Sequence, residues 1–288
     1  MDAWLRMFDH AWPERPAEPA GRQAAPRLEL LKALPGEPST RPPLLFLHGA
    51  FSGAWVWAEH FLPFFAGKGF DAYALSFRGH GRSAGRQDLS RFSLNDFVDD
   101  VRETMSALER PPVLIGHSMG GMVAQRCLGR EKLAGLVLMS SVPPAGGLGP
   151  NTRLALRDPE LLLEFLNLAS FAGRRTAAPR IRKMLLSDDL PPHQMDAYLA
   201  RMQPESQRAL SDLQVPSVWA GAGLYGVPTL VTGRAGDSLI PRAVLSETAW
   251  FHGAELQVLP GDAHATMLEG RWQESADVIA DWLERRFG

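Results

Sequence analysis

Residues 112–121, Pro-Val-Leu-Ile-Gly-His-Ser-Met-Gly-Gly, constrain this chain more than any other stretch. Four apolar residues run straight into Gly-His-Ser-Met-Gly, and residues 122–128 follow at helical spacing. The pattern predicts a strand, a sharp turn and a helix, with Ser118 at the apex of the turn. The flanking glycines are a steric requirement, because a serine on so tight a turn is strained and its neighbours must lack bulky side chains. A hydroxyl held there stands clear of the sheet, and the helix after it aims N–H groups and the positive end of its dipole at it. The competing reading is a glycine-rich turn whose serine merely caps a helix.

The same rhythm recurs on either side. Residues 27–34 read as an edge strand, 35–38 as a turn, and 42–47 as a buried strand ending in His48-Gly49-Ala50-Phe51. Residues 54–65 carry aromatic and aliphatic side chains at helical spacing. Residues 70–77 form another strand, ending in Arg-Gly-His-Gly-Arg-Ser at 78–83, and Ser93 caps a helix running to about 109. A further buried strand covers 133–141. Strand and helix alternating at this spacing imply an α/β fold with a mostly parallel sheet flanked by helices. Continuous apolar strands suit a sheet covered on both faces.

From 143 to about 226 the rhythm breaks. Helical patterns at 158–171, 178–187, 191–203 and 204–213 replace the strands. It then resumes, with strand 227–232, helix 241–251, strand 255–259 and helix 271–287. The expected organisation is a Pro- and Ala-rich N-terminal tail (1–26), an α/β core (27–142 and 227–288) and a helical cap, or lid (143–226). The cap would lie over the strand C-termini, where ligands of open α/β sheets bind.

Bulk properties exclude several classes. A net charge of −2 with scattered basic residues leaves no footprint for nucleic acid or an anionic membrane. There is no run of about 18 apolar residues to span a bilayer, and the N-terminus lacks the apolar stretch of a secretory signal. The single cysteine, Cys127, rules out an intrachain disulfide and reads as a buried structural thiol behind the Ser118 turn. A cytoplasmic protein is expected. Neither a metal nor a dinucleotide is expected, because no His-x-x-x-His or Cys-x-x-Cys pair occurs and the first strand lacks a Gly-x-Gly-x-x-Gly turn. Oligomeric state is not legible.

A serine hydroxyl is a poor nucleophile unless a base takes its proton, and that base needs an acid to fix its tautomer. Asp237 lies in the Gly-Arg-Ala-Gly-Asp loop leaving strand 227–232, and His264 in the Pro-Gly-Asp-Ala-His loop leaving strand 255–259. Ser118, Asp237 and His264 thus fall in order at one edge of the sheet. Asp262 is the second choice of acid, too near His264 in sequence to orient its ring. Among the other histidines, His252 sits at a helix end, where the dipole explains a charge, and His117 is read as a brace for the turn. Two donors are needed for a developing oxyanion. The Met119 N–H is one; Ala50 N–H is the other, with Phe51 as the alternative one residue on.

His-Gly-Ala, Arg-Gly-His-Gly-Arg-Ser, Gly-His-Ser-Met-Gly-Gly, Gly-Asp and Asp-Ala-His together resemble the α/β-hydrolase fold superfamily. The similarity is to its lidded serine esterases, monoacylglycerol lipases and lysophospholipase-like members, and it covers about 27–142 and 226–288. It implies a cofactor-independent serine hydrolase that cleaves a small-molecule carboxylic ester through an acyl-enzyme. A C–C bond hydrolase, or an acyltransferase or thioesterase, would use the same three residues, and a non-catalytic small-molecule receptor is a third class. Serine at the elbow departs from the dehalogenase- and epoxide-hydrolase-like members, which carry aspartate. Phe51, Phe165 and Met195 are the first candidates for contact with an apolar acyl chain.

Overall fold

The computed structural model describes residues 27–170, 184–186 and 190–288, without the side chains of 165–170. The expected tail (1–26), most of the helix expected at 178–187 and the Phe165 side chain lie outside the described residues. The strands are β1 (Glu29–Ala33), β2 (Leu44–Leu47), β3 (Ala72–Ser76), β4 (Val113–His117), β5 (Gly135–Met139), β6 (Thr229–Arg234) and β7 (Glu255–Leu259). They form one sheet in the order β1-β3-β2-β4-β5-β6-β7. The edge strand β1 pairs antiparallel with β3, and the other pairs are parallel.

The helices in chain order are α1 (Trp55–Ala58), α2 (Phe61–Gly67), α3 (Leu94–Ser106), α4 (Met119–Arg126), α5 (Leu148–Arg157), α6 (Pro159–Ser170), α7 (Pro192–Arg201), α8 (Gln207–Asp212), α9 (Arg242–His252) and α10 (Trp272–Phe287). The single helix expected at 54–65 is therefore two short ones. Pro63 lies in the first turn of α2, where a missing N–H costs nothing. α3 opens on a full capping box, in which Ser93 and Asp96 satisfy each other's backbone N–H groups.

Strand alternation splits the core in two. Leu44 and Phe46 join Val113, Ile115 and Val137 on one face, packed by Trp57, Phe61, Phe65 and the α10 residues Ile279 and Trp282. Leu45 and Leu47 join Leu114, Leu136 and Leu138 on the other, packed by Phe97, Val101, Met122, Val123 and Leu245. Each fully buried Leu, Ile or Phe contributes about 1.5–3 kcal/mol, so both faces hold the sheet between two helical layers. Strand order supplies the site. From β2 the chain moves to β3 on one side, then returns to β4 on the other. The loops leaving β2 and β4 consequently part at a switch point and open a crevice at the C-terminal edge.

Between β5 and β6 no strand occurs among the described residues. α5 lies outside every helical pattern expected from sequence, since Gly147, Gly149 and Pro150 mask its start. The excursion closes on itself at a neck: Gly147 N–H donates to Leu213 O at 2.7 Å. Its last part is tied to the body. Leu94 N–H donates to Asp212 Oδ2 at 3.1 Å, Ser206 Oγ donates to Phe92 O, and Ala209 and Leu213 enter the second core cluster. No helix among the described residues is long and apolar enough to cross a membrane.

Candidate active site

Ser118 sits between β4 and α4 at φ +52° and ψ −116°, a strained conformation for a serine. Its neighbours must be glycine for the reason read from sequence. A Cβ on Gly116 would lie 2.5 Å from Gly120 O, and one on Gly120 would press on Leu47 O and lie 2.5 Å from His48 O. A Cβ on Gly49 would come within 3.2 Å of Ser118 Cβ and 2.7 Å of His117 Nδ1. The loop after β2 is thus laid directly against the serine, across the crevice.

His264 Nδ1–H donates to Asp237 Oδ2 at 2.7 Å. The other carboxylate oxygen, Oδ1, accepts from Leu239 N–H at 2.9 Å and Ile240 N–H at 3.0 Å. Burial alone would raise the Asp237 pKa, but His264 and these donors hold it below the usual carboxylate range. The carboxylate therefore stays ionised and fixes the His264 tautomer, leaving Nε2 as the acceptor. Asp262 is exposed. The loops of Asp237 and His264 are laced together by Gly236 N–H to Gly261 O at 2.9 Å. Beneath them Arg234, with no exposed surface, donates to Glu269 Oε1 (2.9 Å), Glu274 Oε2 (2.6 Å), Pro260 O (2.8 Å) and Arg271 O (3.0 Å).

His117 braces more than its own turn. Its Nε2–H donates to His264 O at 3.0 Å. Burial first, then the neighbouring His264, lowers its pKa to about 3, so the ring is neutral. On the opposite wall, Phe51 N–H donates to Glu205 Oε2 at 3.0 Å, which removes it as a free anion donor. Ala50 N–H and Met119 N–H, the latter in the first turn of α4, have no acceptor among the described residues.

An apolar cavity opens at this point, with about 680 Å³ of free space including its mouth. Ser118, His117 and His264 form its floor, with Ala50, Phe51, Trp55 and Val56 on one side and Met267 and Leu268 on another. Leu185, Leu186, Tyr198, Leu199 and Met202 close it from the β5–β6 connection. Phe51 is in the cavity lining. Met195 is not: it is buried in the core cluster with Leu186, Leu190 and Tyr198. Helical spacing identifies the apolar face of α7, but Tyr198, Leu199 and Met202 are the residues that reach the cavity.

The reading of His252 is corrected. It is no solvated helix-end cation, because Nδ1 accepts from Ala222 N–H at 3.1 Å and Nε2–H donates to Gln125 Oε1 at 3.0 Å. Burial lowers its pKa to about 4. Cys127 is buried, and burial pushes its thiol up to about 12, which leaves it inert. Among the described residues no cluster of three or more His, Cys, Asp or Glu is placed to hold a metal ion.

A mostly parallel sheet, a strained serine between strand and helix, and an acid–histidine pair on the last two strand loops define a class. The chain belongs to the alpha/beta hydrolase family, whose model matches residues 44–282. A monoacylglycerol lipase of Mycolicibacterium smegmatis is 39% identical over 245 residues, 78% of this chain and 82% of that one. A proline iminopeptidase of Flavobacterium johnsoniae is 23% identical over 250 residues, 78% of this chain and 84% of that one. Among solved structures, a soluble variant of the monoglyceride lipase of Saccharomyces cerevisiae shares the fold, with a TM-score of 0.67 at 17% identity over 97% of each chain.

Proposed function

We propose that this hydrolase cleaves carboxylic esters with an apolar acyl chain, through an acyl-enzyme on Ser118. The observation that carries the reading is that His264, paired with the buried Asp237 at 2.7 Å, lines one apolar cavity together with Ser118. Ser118 Oγ attacks the ester carbonyl while its proton passes to His264 Nε2. Asp237 stabilises the imidazolium that results, and the N–H groups of Ala50 and Met119 receive the oxyanion. Collapse expels the alcohol, which takes the proton from His264. Water then repeats the sequence on the acyl-enzyme and returns the serine. Residues 143–226 act as the cap that walls the acyl site. The monoacylglycerol lipase relative supports an ester substrate, and the iminopeptidase relative names the competing amide reading.

The experiment is a chain-length series of p-nitrophenyl esters beside prolyl p-nitroanilide, run on wild type and Ser118→Ala, with fluorophosphonate labelling of Ser118. Ester turnover should fall by several orders of magnitude in Ser118→Ala, as it does when a triad serine is removed. Faster cleavage of the anilide than of any ester would replace the ester reading.

A further inference from the structure

We propose that Glu205, seated on His80, is a positioning residue that holds the Ala50 N–H in line with the oxyanion. The inference rests on the Ser118 reading above. An anion donor is only as good as the peptide plane that carries it, and Ala50 N–H shares its plane with Gly49 C=O. Gly49 O is held by two donors, His48 Nδ1–H at 2.7 Å and Ser52 Oγ–H at 2.8 Å. The His48 tautomer is set in turn, because its Nε2 accepts from Phe77 N–H at 3.2 Å. The next two planes are gripped from outside the loop. Phe51 N–H donates to Glu205 Oε2 at 3.0 Å, and Phe51 O accepts from Gln203 N–H at 2.9 Å.

That grip is needed because Phe51 has φ +65°, a left-handed conformation that a phenylalanine avoids unless its surroundings impose it. Released, the Phe51 backbone would relax and rotate the Ala50 plane with it. Glu205 is itself anchored. Its carboxylate has no exposed surface, Oε1 accepts from Ser206 N–H at 2.7 Å, and His80 Nε2–H donates to Oε2 at 3.0 Å. His80 Nδ1 faces Arg78 O at 3.2 Å. Gln203 adds two bonds to the same Arg-Gly-His-Gly turn, accepting from Gly81 N–H at 2.9 Å and donating to Gly79 O at 3.1 Å. None of Gln203, Glu205 and His80 lines the cavity. They act on the reaction only through the Phe51 backbone, so the anion site is finished by residues from the far end of the β5–β6 connection.

The test is hydrolysis of p-nitrophenyl butyrate and inhibition by phenylboronic acid, whose tetrahedral adduct on a serine puts a negative oxygen in the anion site. Wild type, Ser118→Ala, Glu205→Ala, Glu205→Met and Glu205→Gln are compared. Loss of one oxyanion donor costs about 100- to 1000-fold in kcat; misdirecting one should cost Glu205→Ala about 10- to 100-fold, with KM within about twofold. The boronate Ki should rise by the same factor. Glu205→Gln keeps an acceptor for Phe51 N–H and should recover part of both losses. If Glu205→Ala does not fold, Glu205→Met, which refills the volume without an acceptor, takes its place. A folded acceptor-less variant with kcat within about threefold of wild type, or with Ki unchanged, overturns the positioning role and leaves the Ser118 reading standing. Full activity in Ser118→Ala would instead overturn the reading beneath it.

Discussion

Asp237 Oδ2 and His264 Nδ1 meet at 2.7 Å from loops that leave different strands, whereas Asp262, two residues from His264, remains exposed. Reach explains the pairing: Asp237, at the end of the neighbouring strand β6, meets the His264 ring, whereas Asp262 in the same loop as His264 points to solvent. Asp237→Asn should lower kcat/KM for an ester by about four orders of magnitude through the wrong histidine tautomer. Asp262→Asn should stay within about twofold of wild type. The two rates measured side by side decide the assignment, and the opposite ranking would transfer the acid to Asp262.

The cavity wall contributed by Leu199 and Tyr198 should set chain-length preference. Each methylene buried against it strengthens binding by about 0.8 kcal/mol, so kcat/KM should rise about three- to fourfold per added CH₂ until the site is full. Leu199→Trp should move that limit to shorter acyl chains, while Met195→Trp should disturb stability rather than the profile. An unmoved profile in Leu199→Trp would locate the acyl site elsewhere.

His252 makes folding pH-dependent. Its folded pKa, near 4, lies below the ordinary 6.5, so on acidification the unfolded chain binds a proton that the folded chain refuses. Its contribution is intact above about pH 6.5 and is lost as pH falls towards 4, a loss of up to about 3 kcal/mol. His48 and His117 are depressed in the same direction and steepen the same limb. His252→Gln should flatten the fall of Tm between pH 7 and 4.5 by about one proton's worth of slope. An identical slope in the variant would mean that this ring does not carry the effect.

Arg234 is a fully buried charge that ties the β6 end to α10. Arg234→Met leaves the Glu269 carboxylate, 3% exposed, without its partner. Breaking a buried pair from one side costs about 3–5 kcal/mol. The double variant Arg234→Met/Glu269→Leu should recover part of that loss, as read from urea unfolding midpoints. A double variant no more stable than the single one would show that Arg234 acts through Glu274, Pro260 O and Arg271 O rather than through Glu269.

What the sequence revealed was whatever a local rule dictates. Gly116 is demanded by contacts within its own turn and Gly120 by the end of β2, at Leu47 O and His48 O; the first of these is a local rule, and it makes the Ser118 elbow legible. His252 was misread because a helix end signals only a dipole. Burial keeps the ring neutral, and the N–H its Nδ1 accepts from, that of Ala222, arrives from a separate turn. Met195 and Tyr198 share the apolar face of α7, and spacing alone does not say which of them meets the cavity. Glu205 stands in Gln-Pro-Glu-Ser, which reads as a polar lead-in to a helix; its tie to Phe51 crosses 154 positions.

The neck at Gly147 and Leu213 has a consequence for how such a chain diversifies. A loop whose two ends already touch adds little to the entropy of closure when it lengthens, only about 0.6 kcal/mol for each doubling. The sheet therefore registers the length of the excursion weakly, while the excursion contributes Leu185, Tyr198 and Leu199 to the chamber above Ser118. A lining position outside the main core cluster, such as Met202, can change at little cost to the sheet, whereas Met195 and Tyr198 belong to that core and Gln203 and Glu205 are tied to the loops after β2 and β3.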